Sequence, residues 1–238
     1  MTRWMANARY IAQIRAAAPD LAGMWNGGTF ALSSPTSPPP LGLAADGPVP
    51  VGIYRSFDKL MRDCAAGLIH PDFGWLLADY ESWPDTDLAA RQDPFAYLRK
   101  AAQYAHRYGP WRLIAAPARD LAGVCTAQPK TGGESDTDWY LRTGMAARAA
   151  RYADAVSVQS QAETITGRFA GMVSQASAQA RNANPYAIRL CGISTRYGTA
   201  EQMAAAVQSV VPAQASGAWL NLPDDDVAKA VAFLRLVL

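Results

Sequence analysis

Histidine and cysteine are scarce in this chain. Two histidines, His70 and His106, and three cysteines, Cys64, Cys125 and Cys191, occur among 238 residues. His106 falls inside a predicted helix and His70 ahead of a predicted strand, so neither a Ser-His-Asp triad nor a His-rich metal site is expected. No CxxC is present, so the usual zinc and thiol-redox spacings are missing. Cys64 and Cys191 sit among apolar residues and are expected to be buried thiols. Net charge is only +2, and no run of Lys and Arg stands out, which argues against a nucleic-acid partner. No apolar run approaches 18 residues, so no membrane span is expected. The first 19 residues lack the apolar centre of a secretory leader. The expected location is the cytoplasm, with a secreted form whose leader has been removed as the alternative. No GxGxxG follows a strand and no GxxxxGK[ST] exists, so the common nucleotide signatures are absent.

What is present is globular: 50 % of residues are hydrophobic and 18 % charged. From residue 51 onwards strands and helices alternate. Apolar runs at 51–55, 75–80, 111–116, 154–159, 186–193 and 218–221 read as strands. Helices follow, several with start and stop signals. Ser56 and Asp93 are N-caps, Pro94 is at the first helical position, Gly67 and Gly109 end helices, and Thr199 with Gln202 forms a capping box. Asp224, Asp225 and Asp226 read as a helix start. A helix is expected from about 138 to 152 and a longer one over roughly 163–182. The N-terminal part reads as a helix at 5–18 and a short strand at 21–25. This alternation implies parallel strands with crossover helices, and near-continuous apolar strands imply that both sheet faces are covered. The expected fold is α/β, a (β/α)8-type TIM barrel in one domain over 1–238. It carries an irregular Pro-rich loop at about 33–50, read as a flexible excursion or a lid. Seven strands are placed, leaving the N-terminal unit degenerate or missing.

In such a barrel the active site forms at the carboxyl ends of the strands. The stretch Trp75-Leu-Leu-Ala-Asp-Tyr-Glu81 ends there in two acids. Residues i and i+2 of a strand share a face, so Asp79 and Glu81 point the same way. Two carboxyls on a partly buried face push their pKa values apart, and the pair is suited to acid–base chemistry or to holding a divalent cation. Tyr54 and Arg55, Trp83, Arg119, Gln159 and Gln161, and Trp219 and Asn221 also lie at predicted strand ends and are the candidate substrate-binding residues. Asp120, Ser194, Thr195 and Arg196 stand at strand ends too. Aromatic faces, amides and carboxylates together suit a polar, ring-shaped ligand.

LLADYESW resembles the strand of glycosidase-type TIM barrels, of which chitinase-like and lysozyme-like barrels carry an Asp-x-Glu pair at a strand's carboxyl end. DYESWP, RLIAAPARDL, VSVQSQ, CGIST and AWLNLP resemble a set of uncharacterised bacterial barrel proteins over most of the chain from Val51. The longer chitinase pattern has acids where this chain has Gly74 and Leu77. The likeness implies a glycosidase-like hydrolase, with Glu81 as general acid and Asp79 orienting it or stabilising positive charge, without a cofactor. A Mg²⁺-dependent lyase or cyclase of terpenoid or polyketide-like metabolism is an alternative. There Asp79 and Glu81 would hold the ion, and Arg55, Arg119 or Arg196 would bind an anion. A non-catalytic barrel that binds sugars or a protein is another. The partner expected is a small-molecule or glycan substrate, with oligomeric state left open.

Overall fold

The computed structural model describes residues 2–40 and 47–238. Eight parallel strands form a closed barrel in sequence order. They are β1 (Arg3–Asn7), β2 (Phe30–Ser33), β3 (Val49–Tyr54), β4 (Trp75–Tyr80), β5 (Arg112–Pro117), β6 (Ala155–Val158), β7 (Ile188–Ser194) and β8 (Gly217–Asn221). Around them lie α1 (Ala8–Ala17), α2 (Phe57–Ala65), α3 (Leu88–Gln92), α4 (Pro94–Tyr108), α5 (Asp136–Arg142), α6 (Met145–Ala150), α7 (Phe169–Ala183), α8 (Ala200–Gln208) and α9 (Val227–Val237). The (β/α)8 barrel expected from the sequence is therefore the fold, and the eighth strand exists.

Strand parity builds two separate cores. Met5, Phe30, Leu32, Val51, Trp75, Leu77, Ile114, Ala155, Leu190 and Trp219 fill the barrel interior. Alternate residues, such as Leu76, Ala78 and Tyr80 on β4, face the helices. The rest of the same outer layer packs on β1, β7 and β8 through Trp4, Cys191, Ile193, Ala218 and Leu220. All three cysteines are buried and free, as expected for Cys64 and Cys191.

The predicted caps form as read. Ser56 accepts from Lys59 N–H, Asp93 from Ala96 N–H, and Thr199 and Gln202 make the reciprocal box. Asp226 caps α9. The N-terminal reading needs correction. Residues 5–18 are not one helix: β1 runs straight into α1, with Asn7 as both strand end and N-cap. Residues 21–25 are not a strand but belong mainly to a 3₁₀ turn, Pro19–Met24, opened by the proline. The helix expected over 138–152 is broken at Gly144, whose φ of 64° separates α5 from α6. A 3₁₀ turn, Gln161–Ile165, also precedes α7.

No helix joins β2 to β3 among the described residues. Pro35 covers the outer face there instead: a Cβ on Gly52 would lie 2.6 Å from its side chain. Its carbonyl also accepts from His70 N–H at 2.9 Å. That part of the 33–50 loop packs on the barrel's flank; its residues 41–46 lie outside the described residues. No helix among the described residues is long and apolar enough to cross a membrane.

Candidate active site

β4 is buried along its whole length. Trp75 and Leu77 point inward, so Asp79 and Glu81 continue that inward row to the carboxyl mouth. Asp79 is 3 % exposed. Gln159, at the end of β6, donates one amide hydrogen to Asp79 Oδ1 at 2.9 Å and another to the Ala116 carbonyl at 3.0 Å. Gln159, read from the sequence as a substrate-binding residue, instead spends its amide hydrogens on Asp79 and the Ala116 carbonyl. Glu81 stands one step higher and lines a cavity of about 550 Å³.

Burial is the main influence on both acids. It pushes Asp79 up to about 7, against the lowering effects of the Arg55 charge and the Gln159 hydrogen bond, with Asp120 adding a further rise. Burial, then the charges of Asp79 and Asp120, push Glu81 up to about 8. Glu81 is therefore a protonated acid near neutral pH, at the wall of an open cavity.

Arg55 is held beside them. Its guanidinium stacks over the Trp83 ring at 4.7 Å and lies 3.8 Å from Asp85. Asp120 anchors the β4 loop to the β5 loop, accepting from Ser82 N–H at 3.3 Å and Ser82 O–H at 2.6 Å. The far wall carries Gln161, Ser194, Arg196 and Asn221. Gln161 lies across β7 where Gly192 leaves room: a Cβ there would sit 2.8 Å from the Gln161 amide carbon.

Arg119 lines the cavity but is tied from behind. It donates to Glu163 Oε1 at 2.6 Å and to Thr137 Oγ1 at 3.2 Å. Arg168, Thr137 and Thr166 also donate to Glu163. Burial alone would raise the Glu163 carboxyl. Hydrogen bonds from Arg168, Thr137 and Thr166 and the charge of Arg119 overcome it and hold it at about 2.

Of the residues named from sequence, Arg55, Glu81, Trp83, Arg119, Gln159, Gln161 and Asn221 line one cavity, with Asp79 beneath it. Tyr54 does not join them. Adjacent strand residues face opposite ways, so Arg55 reaches the mouth while Tyr54 turns outward and donates to buried Asp63 at 3.2 Å. Trp219 is also corrected. It pairs in register with Met5 and Gly192, lies in the interior core two residues below Asn221, and does not line the cavity. Tyr10 and Tyr197 line it and were not anticipated. Tyr10 was hidden because the strand before it was read as helix. Among the described residues, no group of three or more His, Cys, Asp and Glu is arranged to hold a metal ion.

Fold and site together define a (β/α)8 barrel with a carboxylate pair at its carboxyl mouth, Asp79 buried and Glu81 half-buried. No family model and no curated protein matches the chain. Among solved structures it is similar to phospho-2-dehydro-3-deoxyheptonate aldolase (DAHP synthase) from Thermotoga maritima. The identity is 11 %, the TM-score 0.26, and the match covers 82 % of this chain and 71 % of that one. A likeness of this size carries no argument about the reaction.

Proposed function

We propose that the protein is a glycosidase-like hydrolase in which Glu81 is the general acid. One observation supports this above the rest: Glu81 reaches an open polar cavity, yet its burial and the acids around it raise its pKa to about 8. A carboxylic acid that keeps its proton at neutral pH can deliver it to a leaving oxygen. The Glu81 proton passes to the glycosidic oxygen as the carbon–oxygen bond breaks. Asp79 in its ionised form, oriented by Gln159 beneath the cavity, stabilises the positive charge that develops at the anomeric carbon. Water then adds at that carbon and a proton returns to Glu81. The mixture of Trp83, Gln161 and Asn221 around the acid suits a ring with an apolar face and hydroxyl edges.

The test is turnover of a panel of aryl glycosides by wild-type protein, Glu81→Gln and Asp79→Asn. Glu81→Gln should lose about 10²–10⁴-fold in kcat with folding intact. Wild-type activity should fall as pH rises through about 8, where the acid ionises. Unchanged turnover in Glu81→Gln would refute the assignment. Activity lost on chelation and restored by Mg²⁺ would favour the metal-dependent lyase or cyclase instead.

A further inference from the structure

The cavity wall holds three guanidinium groups, Arg55, Arg119 and Arg196, and no lysine. Two of them share an arrangement. Arg119 uses Nη1 on Glu163 and Thr137, while its Nε and Nη2 have no hydrogen-bond partner among the described residues. Arg196 gives Nε and Nη2 to Asp224 at 3.4 and 2.9 Å and leaves Nη1 without one. In each case the carboxylate partner lies outside the cavity lining and fixes the guanidinium from behind. A planar guanidinium fixed in this way, with N–H edges left over, is pre-organised for a carboxylate or phosphate.

Of the acids on the near side, Glu81 is largely protonated near neutral pH and Asp79 partly so, which leaves Asp120, bonded to Ser82, as the main negative charge for the three arginines to outweigh. Gln161, between the strand ends that carry Arg119 and Arg196, adds an amide that makes no hydrogen bond among the described residues.

We propose that the substrate carries an anionic group, a carboxylate or a phosphate, received by Arg119 and Arg196 on the β5–β7 side of the mouth. This rests on the hydrolase reading only for the sugar that bears the group. Calorimetric titration of wild-type protein and Glu81→Gln with glucuronic acid, glucose 6-phosphate and glucose tests it. At least one anionic sugar should bind about tenfold or more tightly than glucose, and its binding should weaken with salt. Whichever anion wins identifies the group. Arg196→Gln, an exposed position that leaves the core untouched, and Arg119→Lys, which keeps a cation beside Glu163, should each lose about tenfold for the anionic sugar and markedly less for glucose. Glucose binding as tightly as both anions overturns the proposal. So does anion binding unchanged in both arginine variants, or no anion binding at about 10 mM. Binding is read without turnover. Anion binding by a protein that cleaves no glycoside therefore defeats the hydrolase reading alone. Equal kcat/KM on glucosides, glucuronides and 6-phosphoglucosides defeats the anion proposal alone.

Discussion

Burial chiefly, with neighbouring acids, holds Glu81 protonated and Asp79 partly so near neutral pH, and this has a measurable cost for the fold. Both pKa values are raised from ordinary carboxylate values, to about 8 and about 7. Their contribution to stability is therefore complete below about pH 4 and is lost as pH rises through 7 to 8. Glu81→Gln cannot ionise. It should match wild type in urea unfolding at pH 4 and exceed it at pH 9 by up to ~5 kcal/mol. A variant equally or less stable at pH 9 would show that Glu81 is solvated in the folded state. The pair was legible in sequence because an apolar run with period two fixes which side chains share a face. Tyr54 was misread because it and Arg55 are neighbours on one strand and cannot both face the mouth. Glu163 went unrecognised because its partners come from separate segments at Arg119, Thr137 and Arg168, and no local pattern announces that meeting.

At the level of elements, Glu163 joins the 3₁₀ turn after β6 to α5 and to the turn that follows β5. Its side chain is 2 % exposed and is held by two arginines. Glu163→Gln leaves both guanidiniums without their carboxylate; because these are part-exposed and solvent screens them, the cost in denaturant unfolding at pH 7 should be ~1–3 kcal/mol. Because the folded pKa is depressed to about 2, this stabilisation is present above the ordinary value and fades as pH falls toward 2. The gap between variant and wild type should close over that range, and a constant gap would assign the loss to packing. Elements with strong end signals were readable: α2, α4 and α8 each have a capping side chain that accepts from a first-turn N–H. β1 and β2 were not. β1 has five residues and passes into α1 with no turn residue between them, and β2 has four, set between a glycine pair and a Pro-rich loop. Pairing with neighbours on both sides, rather than local preference, makes them strands.

The molecule as a whole depends on one close approach. β8 meets β1 at Gly217, in register with Arg3, and a Cβ there would fall 1.8 Å from the Arg3 carbonyl oxygen. Gly217→Ala should therefore cost at least ~3 kcal/mol, read as a shift in urea midpoint. Gly171→Ala, on α7 with open space around it, should be neutral or stabilising by up to ~1 kcal/mol. Equal behaviour of the two would mean that the seam yields easily. A closed ring has no free strand edge, whereas a ring opened at this seam has two, along β1 and β8. Each would present unpaired N–H and C=O groups to the edge of another copy. A weakened seam would thus first become visible as concentration-dependent association, with one molecule's β8 seeking another's β1, before any change in the chemistry at the mouth.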